Sequence, residues 1–290
     1  MEEFKVGDIV IRKSYGGDVY FKIMEIVKKQ DGTNLYILKG TNYRLIADAQ
    51  EEDLEKPPIS KISKEEDETL KRVNTLIKKA VIQRRSQGTF QRINTPNVNS
   101  NVTFGRPGKV LHIDGDMEYL NICLKGYKQL GIEAYGRFVP EVRQPDVVLE
   151  LLNEVRPDIL VLTGHDAMLK GSQDYKNLDS YRNSRYFVEA VRRARKYEPS
   201  YDDLVIFAGA CQSFYEALIE AGANFASSPN RVFIHAMDPV FVCEKIAFSS
   251  ISKFLNPKEI VDSTITGIKG IGGLETRGKY REGLPKSPYV

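Results

Sequence analysis

The amino-acid sequence predicts an α/β protein with a parallel sheet covered by helices on both faces, preceded by a small β unit. Short apolar runs at 159–162 and 204–207 are each followed within a few residues by a glycine turn, as is typical of buried parallel strands. Between and around these runs, apolar residues recur at helical spacing, for example over 180–197. This alternation of strand and helix predicts βαβ units.

Composition excludes several classes of protein. The chain has 290 residues, is 41% hydrophobic and 28% charged, and carries a formal net charge of +3, which is too small to indicate a nucleic-acid partner. Its cysteines are Cys123, Cys211 and Cys243, with no CxxC pair, so a zinc knuckle or disulfide framework is not expected and the thiols fit a reducing cytoplasm. No apolar run is long enough to span a membrane, and the acidic start does not resemble a signal peptide.

The first third of the chain divides into two predicted parts. Residues 1–56 contain short β-rich runs with glycine turns and predict an SH3-like β domain, either a docking module or a stabilising appendage. Residues 57–107 predict a linking helix and loop. The helix is expected over 64–86, because Ser63 and Glu66 resemble a capping box and an amphipathic pattern follows.

Residues 108–290 predict the α/β domain. Strands are expected at 110–113, 132–139, 159–162, 204–207 and 232–236, and helices at 116–130, 147–155, 180–197 and 214–221. The tail, 267–290, is rich in glycine and basic residues and predicts a flap or a loose end.

Cys211 is the candidate nucleophile. It follows the strand at 204–207 in a glycine turn, and a helix is expected directly behind it. A helix N-terminus would lower the thiol pKa and supply N–H groups for an oxyanion. Cys123 and Cys243 lie within apolar stretches and are interpreted as structural.

His165 is the candidate base. It follows the strand at 159–162, the strand that precedes the cysteine strand in the sequence, and the carboxyl ends of neighbouring parallel strands meet at one edge of a sheet. His235, expected at the end of another strand, is the competing base, whereas His112 is expected within a strand.

An apolar strand ending in Gly164-His165, followed by one ending in Ala210-Cys211, resembles the caspase–clostripain–gingipain–legumain clan of cysteine peptidases. The resemblance implies a caspase-like sheet. In that clan a glycine usually follows the histidine and helps to bind the oxyanion, whereas Asp166 stands there in this chain. The implied oxyanion donors are the backbone N–H groups of Gly164, Asp166 and Cys211.

A closer resemblance covers nearly the whole chain. Four segments together resemble the YabG family of sporulation-specific peptidases: residues 5–10, 110–116, 163–166 and 209–213. The resemblance implies a cysteine protease of the mother-cell cytoplasm, associated with the forming spore coat, that processes spore-coat and coat-assembly proteins. It also implies cleavage after basic residues, chiefly arginine. No metal, cofactor or nucleic acid is required by this scheme.

Arginine preference requires a carboxylate in the pocket, because guanidinium pairs bidentately with Asp or Glu. Asp114 ends the first strand of the predicted sheet and is the first candidate. Asp116 is the second, although helix capping would explain it equally well. Asp166 and Asp238 are weaker alternatives.

Two other functions remain open on the sequence. Residues 110–116 also fit the strand-DxD signature of haloacid-dehalogenase-like phosphatases, with Asp114 as nucleophile, Asp116 as general acid and Mg²⁺ as the charge clamp. That scheme lacks its later acidic pair and leaves Cys211 and His165 without roles. A non-enzymatic coat scaffold is the third possibility. Iodoacetamide should inactivate only a thiol protease and EDTA only the phosphatase.

Overall fold

The computed structural model describes residues 3–86, 103–169 and 171–287. Its N-terminal part is an antiparallel sheet of five strands in the order β4-β3-β2-β1-β5. These strands are β1 (Ile9–Arg12), β2 (Phe21–Lys28), β3 (Asn34–Gly40), β4 (Ile46–Gln50) and β5 (Leu54–Glu55). Val10, Ile23 and Leu38 are fully buried on one face of it. The β-rich unit predicted for 1–56 is therefore present as an antiparallel sheet.

A long helix, α1 (Ile59–Ser86), follows this sheet. It begins directly after Pro57-Pro58, so the capping box predicted at Ser63 and Glu66 is wrong, and both residues lie inside the helix. Pro58 lies just before the first helical residue, and its carbonyl accepts from the N–H groups of Lys61 and Ile62 in the first turn. Most of the loop predicted for 87–107, namely 87–102, lies outside the described residues.

The second part is a sheet of six strands in the order β13-β11-β10-β9-β7-β8. Its strands are β7 (Val110–Asp114), β8 (Ala134–Phe138), β9 (Ile159–Thr163), β10 (Val205–Ala208), β11 (Phe225–Ser227) and β13 (Ile271–Gly273). β7 to β11 are all parallel, and only β13 pairs antiparallel, with β11. The order reverses between β7 and β9, and such a switch point opens a crevice at the carboxyl ends of the strands.

Helices cover both faces of this sheet. They are α2 (Met117–Leu130), α3 (Gln144–Val155), α4 (Ser184–Tyr197), α5 (Tyr215–Glu220), α6 (Asp238–Ala247) and α7 (Pro257–Val261). Alternate strand residues point to opposite faces, so Val161 and Phe207 pack in the cluster with α2 and α6, whereas Leu160 and Ile206 pack with α3 and α4. The first cluster also contains buried residues of the N-terminal sheet. The predicted parallel sheet with helices on both faces is confirmed.

Two predicted segments differ from the structure. Residues 232–236 form no strand; their backbone pairs with the N-terminal unit through one isolated antiparallel bridge, between His235 and Tyr43. The described part of the predicted loose tail is ordered and includes β13, β14 (Thr276–Arg277) and β15 (Arg281–Gly283). β14 pairs with β12 (Phe254–Leu255) and β15 with β6 (Phe104–Arg106). Hydrogen bonds to distant strands define these short elements, so local sequence pattern does not reveal them.

No helix among the described residues combines the length and the apolar content needed to cross a membrane.

Candidate active site

The histidine and cysteine turns follow neighbouring parallel strands. β9 pairs with β10 in a register that places Leu162 opposite Ala208, and Gly209 N–H continues the ladder by donating to Leu162 O at 3.0 Å. His165 and Cys211 each stand three residues beyond this last pair. The two strands are therefore adjacent, and both turns leave the same edge of the sheet.

His165 lies between two carboxylates. Its Nε2 is 3.3 Å from Asp116 Oδ2, and its Nδ1 is 3.4 Å from Glu141 Oε1. Its backbone N–H also donates to Glu141 Oε1 at 2.6 Å. Burial opposes the protonated ring, but the two carboxylates outweigh it, so the pKa of His165 is raised above its ordinary value. Glu141 thus fixes the histidine turn and, with Asp116, favours the imidazolium.

Gly164 lies directly against Glu141. A Cβ at that position would lie 2.3 Å from Glu141 Oε1, so a larger residue would push the carboxylate aside. The glycine before the histidine therefore leaves room for the carboxylate of Glu141.

Asp166 joins the histidine turn to the cysteine turn. Its buried carboxylate accepts hydrogen bonds from the hydroxyl groups of Ser184 and Ser213 and from the N–H groups of Ala167 and Asn183. Ser213 Oγ in turn accepts from Ala210 N–H at 2.9 Å, and Ser184 Oγ from Phe214 N–H at 2.8 Å. A single carboxylate therefore holds the backbone on both sides of Cys211.

Cys211 itself is buried and does not lie at the helix N-terminus that the sequence predicts. α5 begins four residues later, at Tyr215, and Cys211 has no exposed surface. Its Sγ accepts from Ile234 N–H at 3.2 Å. Burial raises the pKa of Cys211 to about 12, instead of lowering it as the sequence predicted. No hydrogen bond joins the thiol to the His165 ring among the residues described.

Asp114 is also inaccessible and already has a partner. The Arg44 guanidinium, from the turn between β3 and β4, donates from Nη1 to Asp114 Oδ2 at 2.6 Å, and neither side chain has exposed surface. Thr163 Oγ1 donates to the same oxygen, and Asp116 N–H donates to Asp114 Oδ1. Burial would raise the pKa of Asp114, but the charge of Arg44 holds it well below its ordinary range.

Asp116 has two functions in the structure. Its side chain caps α2 by accepting from the N–H groups of Glu118 and Tyr119, as the alternative interpretation predicted. It also pairs with Lys39 Nζ at 2.7 Å, across from His165. These contacts place Asp116 beside the candidate base.

The competing residues lie in structural settings. His112 is buried within β7, where its ring contacts Tyr127 and Thr163. His235 Nδ1 accepts from Met237 N–H, and burial lowers the pKa of His235 to about 4. Asp238 is buried and accepts hydrogen bonds from residues 235, 265 and 266. Asp238 therefore holds the 235–238 turn against the 264–266 loop.

Sequence reasoning missed Glu141, Lys39 and Arg44. Glu141 could have been found, because it follows β8 and the carboxyl end of β8 lies next to that of β7. Lys39 and Arg44 belong to the N-terminal sheet, and no local pattern predicts that a loop of that sheet reaches the edge of another.

The comparisons with known proteins agree over nearly the full length. The family model described as YabG peptidase U57 matches residues 5–285. The sporulation-specific protease YabG of Bacillus subtilis (strain 168) is 43% identical over 294 residues, covering 98% of each chain. Among solved structures, NtrX from Brucella abortus matches with 17% identity and a TM-score of 0.31, covering 49% of this chain and 27% of that one. Similarity at this level does not indicate a shared fold. The family matches do not support the phosphatase alternative, which would also need an accessible Asp114.

Proposed function

Because the chain belongs to the YabG peptidase U57 family, we propose that it is a sporulation protease of the cysteine class that cuts proteins after arginine. The observation that carries the proposal is the common edge shared by the histidine and cysteine turns, which follow paired strands and are tied together through Asp166. A thiol nucleophile and a base at one strand edge form the arrangement that covalent catalysis by cysteine requires.

The proposed mechanism assigns the chemistry to Cys211 and His165. His165 takes the thiol proton, and the thiolate of Cys211 attacks the peptide carbonyl carbon. The C–N bond breaks, His165 returns the proton to the leaving amine, and a thioester remains. A water molecule, deprotonated by His165, then hydrolyses the thioester and frees the thiol. Asp116 and Glu141 stabilise the imidazolium that forms in each half of the reaction.

The proposed oxyanion donors are the backbone N–H groups of Gly164, Asp166 and Cys211. The N–H of His165 is not among them, because it already donates to Glu141. This assignment follows the resemblance to the clan, with Asp166 in the place where a glycine usually stands.

The proposed acceptor for the substrate arginine is Asp114, with Asp116 as the second candidate. The bond that Asp114 makes to Arg44 supports this choice, since it demonstrates that the surroundings of the carboxylate accommodate a guanidinium. The proposed substrates are spore-coat and coat-assembly proteins, processed in the mother-cell cytoplasm at the forming coat. We also propose that 1–56 is an SH3-like module, 57–107 a linker and 108–290 a caspase-like peptidase domain.

The proposal is tested with a matched pair of cysteine variants and two peptides. The purified chain is incubated with peptides that carry Arg or Gln at one position, and products are identified by mass spectrometry. We expect cleavage after Arg, abolished by iodoacetamide and by Cys211→Ala. Cys243→Ala, which removes an equally buried thiol from α6, should retain activity. A Cys211→Ala protein that cuts at the normal rate would refute the cysteine mechanism.

A further inference from the structure

The arginine turn, residues 41–45 between β3 and β4, fills the site that the proposed function assigns to a substrate arginine. Arg44 lies near the C-terminal end of this turn with its guanidinium on Asp114, and no part of the Arg44 side chain is exposed. Nη2 of Arg44 also reaches Cys123 Sγ and Ala236 O, each at 3.3 Å. An arginine from outside has no access to Asp114 while the Arg44 side chain is bound there.

The backbone of the arginine turn pairs with the segment beside the cysteine. Arg44 N–H donates to Ile234 O at 3.3 Å, and Ala236 N–H donates to Asn42 O at 2.9 Å. Ile234 is also the residue whose N–H donates to Cys211 Sγ. One turn therefore lies over both the proposed nucleophile and the proposed arginine acceptor, with its main chain paired as an added strand would be.

The arginine turn is buried or half-buried along its whole length, but its central side chain is not fully satisfied. Nε of Arg44 is buried without a hydrogen-bond partner. Thr41 and Asn42 line an open cleft of about 370 Å³ whose far wall includes residues 235–237. Tyr119 Oη donates to Gly40 O at the base of the turn and to Tyr43 O directly before Arg44. Withdrawal of Arg44 toward the cleft therefore requires the bond to Tyr43 O to break, whereas the bond to Gly40 O can keep the base attached.

We propose that Arg44 is an internal occupant of the arginine site, so that the N-terminal sheet inhibits the peptidase until the arginine turn withdraws. The inference rests on the proposed function, because it takes Asp114 as the acceptor and Cys211 as the nucleophile. Substrate arginine and Arg44 then compete for one carboxylate. A buried ion pair contributes little net stability, and its best attested use is as a switch or register device, which fits this role.

The first experiment compares Arg44→Gln with Arg84→Gln. Arg84 is a matched control, because it is a largely buried arginine paired with a carboxylate, Glu244, on another part of the molecule. Both variants should lose thermal stability. Only Arg44→Gln should gain activity, with kcat/KM for arginine peptides rising roughly 10- to 100-fold, the size expected for loss of one charge-assisted competitor. A folded Arg44→Gln protein with unchanged or lower kcat/KM would overturn the inference.

A second experiment uses the wild-type chain and does not depend on the folding of a variant. An arginyl chloromethyl ketone alkylates Cys211, forming a thioether and releasing chloride, and places its guanidinium in the arginine site. Amide hydrogen exchange at residues 41–45 should then rise at least about 10-fold relative to the unlabelled chain, because the arginine turn has been displaced. Cys211→Ala treated with the same reagent is the control. Unchanged exchange in the labelled chain would overturn the inference.

These outcomes separate the inference from the proposed function. If neither the wild type nor a folded Arg44→Gln protein cuts arginine peptides or reacts with the ketone, the proposed function itself is refuted. Wild type that does both, with the arginine turn still protected, would refute only the occupant role. Intact-mass measurement adds one further outcome: cleavage between Arg44 and Leu45 that is absent in Cys211→Ala would make Arg44 a substrate and overturn its role as an occupant.

Discussion

Replacing Asp166 by asparagine tests whether one carboxylate aligns the histidine and cysteine turns. The buried carboxylate accepts two hydroxyl and two backbone hydrogen bonds, and each hydroxyl also holds a backbone N–H near Cys211. An asparagine offers one oxygen. If that oxygen keeps accepting from the backbone N–H groups, the NH₂ group of the asparagine faces Ser184 and Ser213. The two serine hydroxyls can then no longer donate to residue 166 and must rotate away.

The structure sets the size of the effect. Two hydrogen bonds to a charged group are lost, each worth about 1.5–3 kcal/mol, but the cost of burying the charge is removed as well. We expect a net loss of about 1–3 kcal/mol in the free energy of unfolding, or a melting temperature lower by roughly 2–10 °C. The kinetic effect should be larger: misplacing reacting groups by about 1 Å can cost on the order of 10²-fold in rate.

The assay pairs thermal melting with kcat/KM on an arginine peptide. Glu244→Gln is the control, because Glu244 is a carboxylate as buried as Asp166 and lies on α6 beside Arg84, away from both turns. Glu244→Gln should lower stability and leave kcat/KM near the wild-type value. If Asp166→Asn behaves in the same way, Asp166 is a structural group and the alignment argument is wrong.

Four further substitutions probe the site. His165→Ala should lower the rate by on the order of 10²-fold or more, whereas His235→Ala should do much less, and the reverse order in peptide assays would make His235 the base. Glu141→Gln removes a carboxylate that raises the pKa of His165, so the acidic limb of the profile of kcat/KM against pH should move to lower pH. An unchanged acidic limb would show that Glu141 does not affect the base. Asp114→Asn should lower rates on arginine peptides by roughly 10- to 100-fold and leave glutamine peptides little changed, and equal losses on both would give Asp114 a structural role.

The sign of the Glu141→Gln effect follows from linkage. A base with a raised folded-state pKa is protonated, and inactive as a base, until the pH rises through that value. The carboxylates around His165 also stabilise the folded protein below the unfolded pKa of histidine, and this contribution is lost as the pH rises through the raised folded value. Glu141→Gln should therefore weaken the dependence of stability on pH in that range.

Much of the second part of the fold was predictable because its signal is local. In the apolar runs at 159–162 and 204–207, successive side chains pack against the helices on opposite faces of the sheet. Because both faces of these strands are buried, all their residues are apolar, and the sequence shows this directly. The positions of His165 and Cys211 at one edge followed from the rule for parallel strands and needed no knowledge of side-chain contacts. Glu141 was within reach of the same rule.

The state of the site was not predictable, because distant segments determine it. From the sequence, Cys211 is a turn residue with no evident cover. In the structure it is buried by the 232–236 segment, which in turn pairs with the arginine turn. From the sequence, Asp114 is expected to be a free carboxylate at a strand end. Its partner, Arg44, lies 70 residues earlier in the chain, in a turn of the N-terminal unit. Periodicity reports which face of an element is apolar, but carries no information on which loop of a different unit will cover its end.

The antiparallel strand β13 has a consequence for handling the protein. β11 carries buried residues along its whole length, and β13 occupies its outer edge through the pairs Phe225–Gly273, Ala226–Gly272 and Ser227–Ile271. Removing the chain from about residue 267 onward would leave the outer N–H and C=O groups of β11 unpaired. Such an edge recruits other chains, so a shortened protein would be expected to aggregate instead of becoming a smaller soluble enzyme. The glycine-rich segment near the C-terminus thus protects the edge of β11 from pairing with other chains.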